Sequence, residues 1–432
     1  MFQLPSLFKS FRSSDAPVGE HASIDLPSVE IHDVETAAER RPRTLKHLLK
    51  ANHVNHALIY HDLRFHNHTA HILGSAYLLG ATHEHLNEVY DKEAEELEPW
   101  RDAPAEVTRE DWREFLGRRE YQRAFVDFFE DQLVSMRYDW KQLLREYMFE
   151  GKEPLVNGLI SGLAHPMIHL GYAYELDSRT LAIEALTGAS CFYSPLHKYI
   201  DDLSYVRRPT PIEKTTDLLA ILSKVRNDKR FDNLYDHQSG DISLVFAKAE
   251  DALLEYWNAW DLSGTSTALK NVFEESQRLA AALLVATPNP GKGRFDFFFV
   301  HLLTSSHAVR ILLPIVPKKH HVGLLRQWWL FALAVFVARL RPSVDMEVVE
   351  GYKAEGKGWR DVVHGALKGE HALDAHFVKA VRAFKVAEET WGKKEGLWEK
   401  AALKFVREFE GWGGFGGKGV EGKKFGYPEE RY

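Results

Sequence analysis

Apolar residues recur along most of the chain at steps of three and four, which is the spacing of one face of an α-helix. In residues 44–63 the positions on this spacing are Leu45, Leu48, Leu49, Val54 and Leu58. The same period returns in residues 121–147, 244–262, 272–285, 295–316, 324–340 and 373–391. Regular alternation of apolar and polar residues, which is typical of half-buried strands, is scarce. The pattern predicts an all-α protein.

Proline and glycine clusters interrupt these stretches and divide the chain into separate helices. They fall at residues 209–211, 288–291 and 314–317, where proline removes a backbone donor and ends a helix. No longer period repeats along the chain, so a regular solenoid is not predicted. We therefore expect an irregular bundle, built either as a single large multi-helix domain or as two merged helical subdomains.

The two ends of the chain differ in composition from its middle. Residues 1–40 are polar, with scattered Pro, Ser, Asp and Glu, and predict a flexible N-terminal arm. Residues 411–432 are too rich in glycine for a stable helix and predict a tail that lies across the surface through Trp412 and Phe415. The helical catalytic domain is accordingly predicted to span residues 41–410.

Composition narrows the class of protein. A chain of 432 residues, of which 45% are hydrophobic, can bury a large core. The formal net charge is −7 and no long basic block occurs, so a nucleic-acid partner is not predicted. The single cysteine, Cys191, excludes an internal disulfide and a cysteine-based metal cage, which favours histidine and carboxylate ligands. These features predict an intracellular, cytoplasmic protein and leave the oligomeric state open.

Targeting and membrane-spanning segments are not predicted. The first residues lack an uninterrupted apolar core followed by small residues, which a secretory signal requires. The most apolar stretch, residues 328–338, is bracketed by Arg326 and Arg339. It is well short of the roughly 20 residues that a bilayer span needs. We interpret it as a buried helix.

Histidine is concentrated in one part of the chain. Eight of the 22 histidines lie in residues 53–85, where an even distribution would place about two. Histidine is the most common protein metal ligand, and its ring carries a donor and an acceptor that both need partners when buried. His68 and His71 are three residues apart, so on a helix they share one face and can approach a single ion.

Two further segments offer imidazoles. His165 and His169 are four residues apart, and Pro166 between them either opens a helix or kinks one. His301 follows a run of bulky apolar residues. His307, six positions later, is rotated by about 240° from it on a helix, so only one of the two is expected to face the core. Imidazoles from three separate segments predict a metal site assembled by the fold.

A structural role is the alternative for each histidine taken singly. A lone histidine on an apolar helix face, such as His301, is more often a hydrogen-bonded core residue than a ligand. Pairs such as His68 with His71 also occur by chance on helix surfaces. Six others are expected to be solvated or capping residues: His53, His56, His83, His85, His320 and His321.

A fourth segment carries candidate catalytic residues. Asp374, His376 and Lys379 share a predicted helix, on which His376 and Lys379 are three residues apart. Burial disfavours the charged ammonium, so a buried lysine readily becomes a neutral amine. Such an amine can act as a base, or can react with carbon dioxide to form a carbamate that binds metal. The alternative is that Lys379 and Arg382 form a solvated basic edge.

Four blocks of the sequence together resemble the questin oxidase-like proteins. They are residues 65–71 leading into 77–81, residues 162–172, residues 301–305 and residues 374–379, and they occur in the family's order. The resemblance implies an oxygenase of fungal aromatic polyketide metabolism, which opens an anthraquinone ring or performs a Baeyer–Villiger-type step. It also implies non-haem Fe(II) with neither flavin nor haem, and it leaves open whether NADPH is consumed.

The resemblance further assigns roles to individual residues. It implies His68, His71, His165, His169 and His301 as metal-ligand candidates, of which about four are expected to bind, and Lys379 as a modified ligand. No motif matches the two-histidine, one-carboxylate set of many iron oxygenases. Because neutral imidazoles compensate a divalent ion poorly, an anionic ligand is expected from a Lys379 carbamate, from Asp374 or from a phenolate substrate.

The resulting hypothesis is an enzyme that uses dioxygen to cleave a ring carbon–carbon bond of a small aromatic substrate, a phenolic quinone. Residues 295–299, Trp328 and Trp329 either wall a flat pocket for that substrate or belong to the core. Two other functions stay open. The dyad His61-Asp62 is similar to that of the HD-type metal-dependent phosphohydrolases, and a non-catalytic helical scaffold accounts for the helices but not for the histidines.

Overall fold

The computed structural model describes residues 23–414, which are mainly helical. Helices account for 61% of the structure and strands for 3%. The α-helices are α1 (Arg40–Asn55), α2 (Thr69–Leu78), α3 (His83–Ala94), α4 (Gln122–Ser135), α5 (Trp140–Leu144), α6 (His165–Glu175), α7 (Arg179–Cys191), α8 (Lys198–Asp201), α9 (Leu203–Val206), α10 (Leu218–Asn227), α11 (Ser243–Ala259), α12 (Ser266–Val285), α13 (Phe297–Leu312), α14 (His321–Ala338), α15 (Glu347–Glu350), α16 (Trp359–Lys368), α17 (Ala375–Trp391) and α18 (Leu397–Glu408). The prediction of an all-α irregular bundle is confirmed.

Two short pairs of strands accompany the helices. Strands β1 (Ile59–Tyr60) and β2 (Phe65–His66) are antiparallel, with Ile59 opposite His66. Strands β3 (Arg294–Asp296) and β4 (Gly411–Gly413) are parallel and are distant in the sequence. The first pair leads into α2, and the second ties the end of the described chain to the start of α13.

Helices α6 and α13 form the centre of the bundle. Every residue of both helices is buried. Helix α6 packs against α2, α7 and α13, and α13 also packs against α12, α14 and α17. A helix that is enclosed on all sides buries every face rather than one stripe. The histidines of α6 and α13 are therefore held away from bulk water.

This enclosure corrects two expectations about histidines. His301 and His307 are both buried, although they lie on different faces of α13, because neighbouring helices cover both faces. The expectation of solvated residues is wrong for four histidines, which are buried: His53, His85, His320 and His321. His320 nevertheless occupies the N-terminal cap position of α14. His56 does occupy the C-terminal cap position of α1.

A left-handed turn places the start of α6. Gly162, Leu163 and Ala164 have φ values of 58°, 52° and 61°, and His165 and Pro166 follow as the first two helical residues. A Cβ atom at Gly162 would lie 2.6 Å from the Phe192 ring, so the turn needs glycine for space as well as for its backbone angle. Pro166 therefore opens the helix rather than kinking it, because the first turn needs no donor from it.

The described ends of the chain pack against the bundle. In the N-terminal segment, Ile24 and Val34 are buried, and the backbone N–H groups of His32 and Val34 donate to carbonyls at the end of α6. At the other end, Trp412 is buried and its Nε1 donates to Asp374 Oδ2 at 2.9 Å. Phe415, with the rest of residues 415–432, and residues 1–22 lie outside the described residues.

Among the described residues, one segment is long and apolar enough to cross a membrane by length and composition. It is Lys318–Ala338, and 83% of its most apolar window is buried inside the protein. Trp328 within it donates from Nε1 to the Leu302 carbonyl at 3.0 Å. The segment therefore has the surroundings of a core helix, as its sequence predicts.

Candidate metal centre

Seven buried histidines meet at the centre of the bundle. They form two adjoining groups, in each of which one ring nitrogen per residue lies within 4.8 Å of the others. Group one consists of His68, His165, His301 and His376, and group two consists of His66, His71 and His169. Strand β2, the start of α2, and helices α6, α13 and α17 supply these residues. The histidines that the sequence places in separate segments are thus brought together.

The nitrogens of group one have the spacing of ligands around one ion. His165 Nε2 lies 2.9 Å from His68 Nε2 and 3.3 Å from His301 Nε2. Two nitrogens that bind a metal at about 2.1 Å and at right angles are separated by about 3 Å. The group therefore fits a metal ion without rearrangement of the backbone.

Hydrogen bonds to the backbone fix which nitrogen of each ring faces the centre of group one. His165 Nδ1 donates to the Gly162 carbonyl at 2.7 Å, and His301 Nδ1 donates to the Phe297 carbonyl at 2.8 Å. In a neutral ring this leaves Nε2 without a proton. The two Nε2 lone pairs then face each other at 3.3 Å, an arrangement that repels unless a cation lies between them.

Group two lies directly beside group one. The His66 ring stacks on His165 with centroids 4.7 Å apart and on His71 with centroids 5.1 Å apart. His71 Nε2 is 3.1 Å from His169 Nδ1. Neither ring nitrogen of His66 has a hydrogen-bond partner, although the side chain is buried. Buried polar atoms without partners commonly mark a place that a ligand or ion completes.

A buried carboxylate supports group two from behind. Glu184 accepts from His169 Nε2 at 2.8 Å and from His53 Nδ1 at 2.9 Å, and His53 Nε2 is 3.2 Å from Glu130 at the surface. The contact to Glu184 leaves His169 Nδ1 facing His71. Carboxylates that orient metal-binding histidines in this way are a common feature of metal sites.

Six of the seven clustered imidazoles are in the neutral form that binds metal. Burial lowers the pKa of His66, His68, His71, His165 and His376 well below 6.5, and the charges of Lys379 and of neighbouring histidines lower it further. Burial and the Lys379 charge lower the pKa of His301 to about 3. Protons therefore do not compete for these nitrogens at neutral pH.

Lys379 and Asp374 occupy different places in this region. Lys379 is buried, and its charge is the largest electrostatic influence on His68, His71, His301 and His376. Asp374 caps the N-terminus of α17 by accepting from the Phe377 N–H at 2.9 Å, and it also accepts from Trp412. Because Lys379 and Arg382 are both buried, the alternative that they form a solvated basic edge is wrong.

Spacing along the sequence did not predict which of these histidines share a group in the structure. His68 joins one group and His71 the other, and the pair His165 and His169 is divided likewise. His376, predicted as catalytic, lies among the ligand candidates. Our sequence reasoning missed His66 and Glu184. Glu184 had a visible signal, because it is the only charged residue in 180–191, an otherwise uncharged helical stretch.

The aromatic residues around α13 are mainly core. Trp329 packs against Trp260, and Phe295 packs against Phe405. Phe297 is the exception, since its ring centroid lies 4.8 Å from that of His301 and 4.7 Å from that of His376. One aromatic side chain of the 295–299 run therefore lines the metal centre.

The phosphohydrolase alternative finds no support in the geometry. The side chain of His61 is 48% exposed and that of Asp62 is 77% exposed. Asp62 pairs with Arg64 on a surface turn, and His61 is 3.5 Å from Glu98. The dyad therefore does not join the clustered histidines.

Comparison with known proteins places this arrangement in a family. A family model described as questin oxidase-like matches residues 65–384, a range that contains all seven clustered histidines and Lys379. The chain belongs to the questin oxidase-like family. The resemblance noted in the sequence is confirmed.

Relatives of this questin oxidase-like protein are named oxidoreductases. Questin oxidase of Aspergillus fumigatus is 29% identical over 371 residues, covering 79% of this chain and 80% of that protein. Baeyer-Villiger oxidase mdpL of Emericella nidulans is 26% identical, covering 81% of this chain and 82% of its own. Oxidoreductase AflY of Aspergillus parasiticus is 26% identical, covering 78% of this chain and 71% of that protein. The chain is an oxidoreductase, and the scaffold alternative is wrong.

Proposed function

We propose that this protein is an iron-dependent oxygenase that uses dioxygen to cleave a ring of a polycyclic phenolic compound of the anthraquinone type. The observation that carries the proposal is the pair of unprotonated Nε2 atoms of His165 and His301, which face each other at 3.3 Å in a water-poor centre. A cation between them removes the repulsion. Imidazole suits iron, copper and zinc, and of these zinc cannot change oxidation state.

Group one is the set that would hold the ion. His68, His165, His301 and His376 present four nitrogens at ligand spacing, which leaves coordination positions for an anion and for a reactant. Bound iron would supply the redox step by which dioxygen reacts with an organic molecule. Group two and Glu184 would support the first group and fix its shape.

Lys379 is proposed to supply the negative charge that the imidazoles lack. The Lys379 ammonium would first lose a proton to give the neutral amine. Its Nζ lone pair would then bond to the carbon of carbon dioxide, and a second N–H proton would leave, which gives a carbamate. Two facts support this role: Lys379 is buried, which disfavours its ammonium form, and it lies close enough to His68, His301 and His376 to lower the pKa of each while it is charged. A carbamate would turn an unfavourable cation beside a metal into an anionic ligand.

The substrate class is proposed from the relatives and from the surroundings of the site. One relative is named a questin oxidase and others are named Baeyer-Villiger oxidases, names that describe oxidation by oxygen. Phe297 provides an aromatic face beside His301 and His376, against which a planar ring can pack. A phenolate on the substrate would add a further anionic group near the metal.

Metal analysis of protein from iron-supplemented cells tests the metal site. We expect about one iron per chain, its loss in His165→Ala and in Lys379→Ala, and its retention in His61→Ala, which changes an exposed histidine. Incubation with ¹³C-labelled carbon dioxide should give a carbamate carbon resonance that Lys379→Ala lacks. Iron content that is unchanged in His165→Ala would contradict the proposed site.

Product analysis tests the reaction. Iron-loaded protein and a phenolic anthraquinone are expected to give a ring-opened product under air but not under nitrogen. Product formation at equal rates in both gases would contradict an oxygenase. Lys357→Ala, which removes an exposed lysine paired with Asp361, serves as a control for Lys379→Ala and is expected to keep full activity.

A further inference from the structure

A cavity beside the histidine cluster reaches the protein surface. We call it the outer cavity; its volume is about 410 Å³, and residues 27–30, His32, Leu79 and Ile311 are among those that line it. A separate inner cavity of about 10 Å³, roughly enough for one water, shares Glu175, Ile311 and Arg382 with the outer cavity and is also lined by Tyr172 and His307. The outer cavity has the size of pockets that bind small organic molecules.

The buried positive charge in the outer cavity exceeds the buried negative charge. Arg310 is 4% exposed and Arg382 is 3% exposed. Glu175 pairs with Arg382, and at the rim Lys385 pairs with Glu389. No carboxylate of residues 23–414 forms an ion pair with Arg310. Arg310 is therefore buried without a direct ion pair: Glu175, whose charge acts on it, is already paired with Arg382, and Glu30, which also lines the cavity, is exposed.

Three buried nitrogens around this cavity also lack a hydrogen-bond partner. They are Nη1 of Arg310, Nη1 of Arg382 and Nε2 of His307. The other nitrogens of Arg310 donate to Thr390 Oγ1 at 2.9 Å and to the Pro27 carbonyl at 3.0 Å, which fixes the guanidinium in place. Burial lowers the pKa of Arg310 only to about 10, so it stays charged at neutral pH. A buried cation of this kind is costly unless an anion accompanies it.

Tyr172 lies between the inner cavity and the histidine cluster. Its ring stacks on His71 with centroids 5.4 Å apart and an angle of 20° between the planes, and its hydroxyl lies 2.5 Å from Ser75 Oγ. The Arg382 guanidinium carbon is 5.6 Å from the centroid of the same ring. The Tyr172 side chain therefore lies between the Arg382 guanidinium and His71 of group two.

We infer that the outer cavity is an anion site that binds the carboxylate group of a planar aromatic acid. The flat guanidinium of Arg310 matches a carboxylate in shape and charge, and Leu79 and Ile311 offer apolar contact to the rings. The identity of the ligand rests on the proposed function, because oxidative cleavage of a quinone ring at its carbonyl carbon leaves a carboxyl group on the product. The site thus takes the acidic product beside the centre that forms it.

Two ligands of nearly equal shape test this inference. Calorimetric titration with 1-naphthoate and with the uncharged 1-naphthamide compares an acid with a neutral analogue. We expect naphthoate to bind at least about tenfold more tightly than the amide. Arg310→Gln should abolish this preference and leave amide binding unchanged, whereas Lys385→Gln, which removes one charge at the rim, should keep the preference.

The outcomes separate this inference from the proposed function. Because the anion site needs no metal, the preference for naphthoate is expected in iron-loaded and in metal-stripped protein alike. Equal affinity for acid and amide, or a preference that survives Arg310→Gln, would overturn the anion site whatever the enzyme's activity. If Arg310→Gln does not fold, Arg310→Lys keeps the charge without the planar fork, and an undiminished preference in that variant would also count against the inference.

Discussion

Replacement of Glu184 by glutamine tests whether this buried carboxylate controls the electrostatics behind the metal centre. Burial alone lowers the pKa of His53, but the hydrogen bonds and charges of Glu130 and Glu184 raise it to about 9. Burial alone raises the pKa of Glu184, and its hydrogen bonds with His169 and His53 bring it down to about 2. The raised pKa of His53 and the lowered pKa of Glu184 arise largely from the same hydrogen bond, so its free energy is counted only once.

The size of the effect follows from the pKa of His53. The difference between the ordinary value of 6.5 and about 9 corresponds to roughly 3 kcal/mol of folding free energy. The hydrogen bond with Glu130 raises the pKa of His53 most, but Glu130 is 45% exposed and solvent screens its contribution, whereas Glu184 is buried. Glu184→Gln is therefore expected to cost about 2 kcal/mol. Because the folded pKa lies above the unfolded one, this stabilisation is fully present below pH 6.5 and disappears as the pH rises through about 9.

Thermal denaturation of the variant at two pH values measures this effect. A cost of about 2 kcal/mol corresponds to a decrease in Tm of about 2 °C for a chain of this length. We expect that decrease at pH 6 and less than half of it at pH 10, where His53 is neutral in both proteins. Glu130→Gln, which removes the outer partner of the same histidine, should show a smaller decrease. An equal decrease at both pH values would refute the electrostatic explanation and indicate a packing defect instead.

Three further predictions follow from the same structure. Gly162→Ala places a Cβ atom 2.6 Å from a ring carbon of Phe192, whereas a Cβ atom at Gly80, also at positive φ, would meet nothing within 4 Å. We expect both variants to lower Tm but only Gly162→Ala to lower the iron content. Equal iron content in the two variants would contradict the role of the turn. Arg339→Met breaks a buried ion pair with Asp296 at 2.6 Å and should cost about 3–5 kcal/mol in denaturant unfolding, while Lys357→Met, in an exposed pair, should cost less than about 1 kcal/mol. Since burial lowers the pKa of six clustered histidines, iron should be retained on dialysis at pH 5.5, and its stoichiometric loss there would show that the imidazoles titrate normally.

The helices and the elements of the site that depend on local chemistry could be predicted from the sequence. The three- and four-residue period predicts α13 and α17 because an apolar face forms wherever such a period exists. The missing N–H of proline limits Pro166 to the start or to a kink of a helix, and the structure decides for the start of α6. The four blocks that resemble the questin oxidase-like proteins also lie in the helices that carry the clustered histidines.

The grouping of the histidines could not be predicted from spacing. His68 and His71 share one helical segment, but their ring nitrogens point to different groups because partners from α6, α13 and α17 determine where each ring fits. His66 is a member only because a two-residue strand turns it inward. The burial of His307 and the contact of Glu184 with His169 likewise depend on which helices pack together.

The sequence alone determined that the chain is helical, that imidazoles occur in distant segments and that the family is questin oxidase-like, because each of these is written in local spacing or in the order of short blocks. The tertiary structure decided which nitrogens face one another, which carboxylate supports them and where an unpaired guanidinium is buried. The physical reason is that hydrogen bonding and desolvation depend on distances between segments, and only the packed helices fix those distances.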